Sequence, residues 1–81
     1  MIINVIDPRG MQPRDWCDRM VLELDRLGTI PVMVPGFDWR EWAKAVVQVP
    51  RIANLQPPNP LVFEFEEWAI YFNDAVAGDN A

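Results

Sequence analysis

Apolar residues return every three or four positions along three stretches of this chain. At about 100° per residue, Trp16, Leu27, Met20, Leu24, Cys17 and Val21 fall on one stripe, which predicts a helix from Pro13 to about Leu27. Pro13 suits the first helical position, where its missing N–H would be unsatisfied anyway. Asp15 and Asp18 lie near the positive end of the helix dipole and Arg26 near the negative end. Gly28 reads as a left-handed residue that closes the helix, and Leu22 stands alone on the charged face. A second helix is predicted from Trp39 to about Val49, with Trp39, Trp42, Ala43, Val46, Val47 and Val49 on its stripe and Pro50 as its stop. A third covers roughly 63–77, with Phe65, Trp68, Ala69, Phe72, Ala75 and Val76 facing inward. Ile70 and Tyr71 fall outside that face.

Between the helices the pattern changes. IINVI at 2–6 is nearly all β-branched and predicts an extended segment. DPRG at 7–10 then carries the residues of a type I turn, with Asp7 at its first position and Gly10 at its last. TIPVMVPG at 29–36 also reads as extended, and Pro31 confines any strand there to an edge or to the residues after it. Either 2–6 and 32–34 pair, giving a small strand–helix–strand unit, or each finds another surface, including one on another chain. RIANLQPPNP at 51–60 is a stiff, proline-rich connector, and AGDNA at 77–81 a flexible tail. The expected fold is mainly α, or small α+β if the extended pieces pair. It comprises an N-terminal strand or arm and turn at 1–12, a helical domain at 13–76 and the tail.

Two stretches nearly repeat each other: FDWREWA at 37–43 and FEFEEWA at 63–69. With Asp38 as N-cap, Glu41 takes the third helical position and the pair forms a capping box. Phe37 and Trp42 then occupy the positions of a hydrophobic staple. Phe63, Glu67 and Trp68 map the same way. Glu64 is a weaker cap than Asp, Asn59–Pro60 offers a competing start, and VFEFE alternates as a strand would. Helical spacing from Phe65 to Val76 nonetheless favours a helix. The repeat reads as one helix-start device used twice, against the rival reading of a Trp/Glu cluster that grips a ligand.

Composition narrows the function. Eighty-one residues make one domain with a thin stability margin, and four tryptophans fill a small core with few side chains. A net charge of −5 with a single lysine, Lys44, leaves no basic patch for phosphates or for an anionic membrane. No nucleic acid or membrane partner is therefore expected. Cys17 has no cysteine partner, which fits a reducing compartment, and MIINVIDPRG lacks the features of a secretory signal. No apolar run approaches the roughly 18 residues of a membrane span, so a soluble protein made in a cytoplasm is expected.

The chain contains neither histidine nor serine, which removes the commonest general base and the serine nucleophile. Cys17 reads as a small buried hydrophobe. The four scattered glycines cannot build a phosphate-cradling loop. Glu64, Glu66 and Glu67 cluster, but consecutive acids diverge around a helix, and acids in a first turn already serve its dipole. A paired-carboxylate hydrolase needs a deep cleft that so short a chain hardly accommodates. No enzyme, cofactor, metal or small-molecule substrate is expected. What remains is surface: Ile2, Ile3, Val5, Leu22, Ile70 and Tyr71 are candidate partner contacts, covered either by another protein or by irregular packing within the chain.

Taken together, PRDWCDRM, LDRLGTIP, FDWREWAKAVVQVPRIANLQPPNP and FEEWAIYFNDAV, spanning about residues 13–76, resemble small proteins encoded among the virion-structure genes of tailed bacteriophages. The resemblance implies a minor structural component of the virion, made in the host bacterial cytoplasm. It would dock in several copies on a larger neck, tail or capsid protein. It assigns no site residues and no catalysis. Stiff prolines and an apolar N-terminal arm would suit strand addition to a neighbour. Two rivals stand beside it: a small acidic inhibitor or regulator of a host protein, and a carbohydrate- or ligand-binding module, which would need its tryptophans exposed.

Overall fold

A computed structural model describes residues 4–32, 36 and 38–78. Among them the regular structure is helical: α1 (Pro13–Leu24), prolonged by a 3-10 turn at Asp25–Leu27, α2 (Trp39–Val46), a short α3 (Pro50–Ala53) and α4 (Phe65–Ala77). The expected apolar stripes are the core. Trp16, Cys17, Met20, Leu24, Leu27, Trp42, Ala43, Val46, Val49, Trp68, Ala69, Phe72 and Val76 are buried, while Val21, Trp39, Val47 and Phe65 pack against them from partly covered positions.

Several local expectations are corrected. The segment at 2–6 was expected as a strand or arm. Ile2 and Ile3 lie outside the described residues, and residues 4–6 join no ladder. They form an arm held by side chains, with the Asn4 N–H donating to Glu23 Oε1 at 3.1 Å. Of the expected mate at 32–34, Met33 and Val34 also lie outside the described residues, and Val32 joins no ladder. The turn after the arm sits one residue later than DPRG suggested. Met11 N–H donates to the Pro8 carbonyl at 3.0 Å, and Gly10, with φ of +80°, takes the position at which a type II turn requires positive φ. Gly28 follows the 3-10 turn with φ of +142° and ψ of −166°, a glycine-only conformation that is not the left-handed helical one.

α2 ends a turn earlier than its stripe does. Pro50 disfavours helical backbone at the residue before it, so Val49 turns extended (φ −62°, ψ 124°). Pro50 then opens α3 instead of merely stopping α2. The capping box is only half realised. Asp38 and Glu64 occupy the N-cap positions, but neither side chain caps its helix, and Glu41 pairs with Lys44 at 3.0 Å. Phe37 lies outside the described residues; the ring of Phe63 rests 5.2 Å from Tyr71.

The repeat has a third member. Trp16, Trp42 and Trp68 are spaced 26 residues apart, and each is the fourth residue of its helix. Each backbone N–H closes the first helical turn onto the N-cap carbonyl, at Gln12, Asp38 and Glu64 (3.1, 3.1 and 2.9 Å). Each indole N–H then reaches back ten or eleven residues to a carbonyl of the preceding segment: Ile6 (2.6 Å), Pro31 (2.6 Å) and Pro58 (2.9 Å). The three rings meet in pairs, edge to face, with centroids 5.9–6.5 Å apart and planes at 82–87°, an arrangement that favours aromatic contact.

The turns before the helices correspond too. Calling the units around Trp16, Trp42 and Trp68 one, two and three, Asp7–Pro8 and Asn59–Pro60 stand at the same place in units one and three. Each Asx Oδ1 accepts the N–H two residues on (Arg9 at 3.0 Å, Leu61 at 2.9 Å), and both prolines are buried. Gly10 and Gly36, again 26 apart, have φ of +80° and +81°. Contacts between units join unit two to unit three and unit three to unit one. From unit two, Trp39 meets Trp68 at 5.8 Å, and Arg40 donates to the Pro60 and Phe63 carbonyls at 3.0 Å. From unit three, Phe65 meets Trp16 at 5.6 Å, and Asn73 Nδ2 donates to the Ile6 carbonyl at 2.9 Å.

Candidate docking surface

The interior offers little chemistry. With Trp16, Trp42 and Trp68 wholly buried, no open aromatic platform of the kind a ligand module needs is formed by them. Cys17 is buried beside them, and burial pushes its thiol up to about 12, with Asp18 adding to the shift. A thiol held in that state is a poor nucleophile. Among the described residues no three carboxylate or thiol groups converge as a metal site would need, and no helix is long and apolar enough to cross a membrane. Asn73 Oδ1 is buried without a hydrogen-bond partner. The amide is oriented by its other end, which donates to Ile6.

The sequence-derived surface candidates divide into groups. Ile2 and Ile3 fall outside the described residues. Val5 and Ile70, both exposed, come together with Pro8 on the wall of a shallow cleft of about 380 Å³ between the arm and α4. Tyr71, 49 % exposed, stands next to Ile70 on the outer side of α4. Leu22, at 77 % the most exposed of these, projects from α1 and is not part of the cleft lining. Leu61 and Val62, 61 % and 68 % exposed, were missed, because a reading of 51–60 as connector and 63 onward as helix leaves them between elements. Val32, also exposed, belongs to the segment expected to pair with 2–6 or with another surface. A period of 26 would have found Val62, since its counterparts are Gly10 and Gly36.

The turn that carries Leu61 and Val62 is anchored from both sides. Arg40 holds the carbonyls of Pro60 and Phe63, and the Phe63 ring lies against Tyr71. Leu61, Val62, Ile70 and Tyr71 are therefore fixed in place rather than hanging from a loose loop. Along the exposed side of α4, Glu67 and Asp74 each lie three or four residues from both Ile70 and Tyr71, so acids and apolar groups share one face. At the edge of the cleft, Arg9 binds Asp7 through two nitrogens, with Nη2 2.7 Å from Oδ2. This pairing holds the Asp7 carboxyl down at about 2.

A second groove, of about 660 Å³, lies between the 3-10 turn and α3 and is lined by Gly28, Pro31, Val49 and Pro50 among others. It is open and mainly apolar, and Arg51 at its edge donates to the Arg26 carbonyl at 3.3 Å. No family model, curated protein or solved structure matches the chain.

Proposed function

We propose that this protein is a non-enzymatic docking component: a minor structural protein of a tailed-phage virion, seated in several copies on a larger neck, tail or capsid protein. The observation that carries the docking role is the set of exposed apolar residues on the turn before α4 and on α4 itself, Leu61, Val62, Ile70 and Tyr71, the turn and helix being tied by the Phe63–Tyr71 contact. Scattered apolar residues are normal on a protein surface, whereas several held together call for a cover. The virion setting rests on the resemblance carried by PRDWCDRM, FDWREWA and FEEWAIYFNDAV. The buried thiol and the inward-facing indoles support a role without catalysis.

Mass spectrometry of purified particles tests this reading. The chain is expected in them at a defined ratio to a larger structural protein. Its absence from particles, with free chain in the lysate, would overturn the virion role and favour the acidic regulator of a host protein.

A further inference from the structure

The three 26-residue units act as internal controls for one another. Where the fold demands a side chain, the units agree, as at the three tryptophans. Where they disagree on exposed positions, the fold tolerates either choice. Unit three departs at the face just described. Val62 replaces Gly10 and Gly36; Ile70 stands where the other units have Asp18 and Lys44; Tyr71 stands where they have Arg19 and Ala45; Leu61 stands where unit one has Arg9. The helix start is the same with charged or small residues at the Ile70 and Tyr71 places. The turn differs: the Val62 N–H closes onto the Asn59 carbonyl at 3.4 Å, one position earlier than Met11 onto Pro8, and Val62 lacks the positive φ of Gly10 and Gly36. The helix start therefore does not require Ile70, and Leu61 and Val62 leave most of their surface to solvent, while Tyr71 also holds the Phe63 ring at 5.2 Å.

Charge separates the units as well. The first 51 residues carry seven acids and seven bases; the last thirty carry five acids and no base. The whole net charge of −5 therefore belongs to the segment that bears the apolar face. Glu64, Glu66, Glu67 and Asp74 are all exposed around it. Of the bases next to it, Arg9 is neutralised by Asp7, whereas Arg40 holds the carbonyls of Pro60 and Phe63 and keeps its charge, one base against the acids of the segment.

We infer that unit three is the docking unit of a threefold internal repeat, and that its occupant is a protein surface with an apolar centre flanked by arginine or lysine. A second copy of this chain is a poor occupant, because two faces of this kind would bring like charges together. The inference rests on the docking role proposed above and names the chemistry of the partner.

The test uses two synthetic amphipathic helices with the same leucine stripe, one flanked by arginine and the other by glutamate. Binding to the full chain is followed by fluorescence anisotropy at low and high salt. The arginine-flanked helix is expected to bind about tenfold tighter or more, with the difference shrinking as salt rises. The V62G/Y71A double variant installs the unit-two residues without changing charge. It is expected to lose about tenfold or more in affinity while keeping its helical circular dichroism. Should that pair fail to fold, Val62→Gly alone, glycine in both other units, carries the test. E67Q/D74N is expected to flatten the salt dependence, and Leu22→Ala on α1 to leave binding unchanged.

Equal binding of the two helices, full affinity in the Val62→Gly variants, or equal loss in Leu22→Ala would overturn the inference. So would a dimer, seen by sedimentation, that V62G/Y71A abolishes. Absence of the chain from particles would remove the virion role and leave the peptide result standing. Indifference to the flanking charge would remove the partner chemistry and leave the particle result standing.

Discussion

The centre and the rim of this molecule obey different rules. At the centre the three units present the same side chain at the same helical position, engaged in the same two hydrogen bonds and the same edge-to-face contacts. At the rim, one turn away, the units share almost nothing: glycine, charge or alanine in two of them, a large apolar residue in the third. Agreement marks what a helix start needs in order to bury its indole and hold its arm. Disagreement marks what the surface is free to use. A chain of this size cannot devote many residues to each purpose, so the boundary between them falls within single helices, between Trp68 and Ile70 on α4.

Substitutions can break this division. The largest effect is expected from Trp16→Ala, which removes the ring that meets Trp42, Phe65, Trp68 and Phe72. Such a truncation costs about 3–5 kcal/mol, against a total stability of roughly 0.05–0.15 kcal/mol per residue for a folded protein. Loss of cooperative urea unfolding is expected. Trp39→Ala, at a partly covered position, should leave a cooperative transition with a lowered midpoint. A reversed order would mean that the centre lies elsewhere.

Trp→Phe at the three positions sharpens the comparison. Each removes an indole N–H while keeping most of the ring, and a carbonyl left without its donor costs about 1–3 kcal/mol. The three should not be equal. The Ile6 carbonyl keeps the Asn73 donor when Trp16 is changed, so Trp16→Phe is expected to lose less through its hydrogen bond than Trp42→Phe or Trp68→Phe. Urea midpoints of the three variants measure this.

Gly10→Ala and Gly36→Ala come next. Neither position has an atom within 4 Å of an added Cβ, so only the backbone conformation matters. Positive φ costs a residue with a Cβ about 1–2 kcal/mol. Matched losses in thermal unfolding are expected; a clear mismatch would show that the two turns are not equivalent.

The smallest effect is at the surface. Asp7 titrates at about 2 when folded because Arg9 hydrogen-bonds its carboxylate, against 3.8 ordinarily. A lowered folded pKa stabilises above the unfolded value and is lost as pH falls toward 2. Arg9→Gln should therefore shed a small part of the stability change between pH 4 and pH 2, read from unfolding curves at each pH. Both groups are exposed, which keeps the effect slight.

The helices and nearly all of the core were legible from periodicity alone, because Trp16, Met20 and Leu24, or Trp68, Phe72 and Val76, keep helical spacing regardless of their neighbours. The repeat was half legible. FDWREWA and FEFEEWA share letters, whereas MQPRDWC shares with them little beyond its tryptophan and the acid before it, and its cap and first helical position hold Gln12 and Pro13. What makes the three equivalent is the return path of an indole N–H to a carbonyl ten or eleven residues earlier, and no letter encodes a distance in space. Leu61 and Val62 were illegible for a related reason. A turn has no period, so an exposed apolar residue within it cannot be told from a buried one until the turn is built.

Asn73 and Ile6 are separated by 67 positions along the chain, and their hydrogen bond is the longest-range polar link described. The indole ties are local by comparison, so the contact between the last unit and the first is the one with the most loop entropy to overcome. The cleft holding Val5, Ile70 and Asp74 straddles that contact. A molecule bound there would hold the opening and closing stretches of the polypeptide together, so occupancy of the cleft would register as a rise in melting temperature as well as a contact.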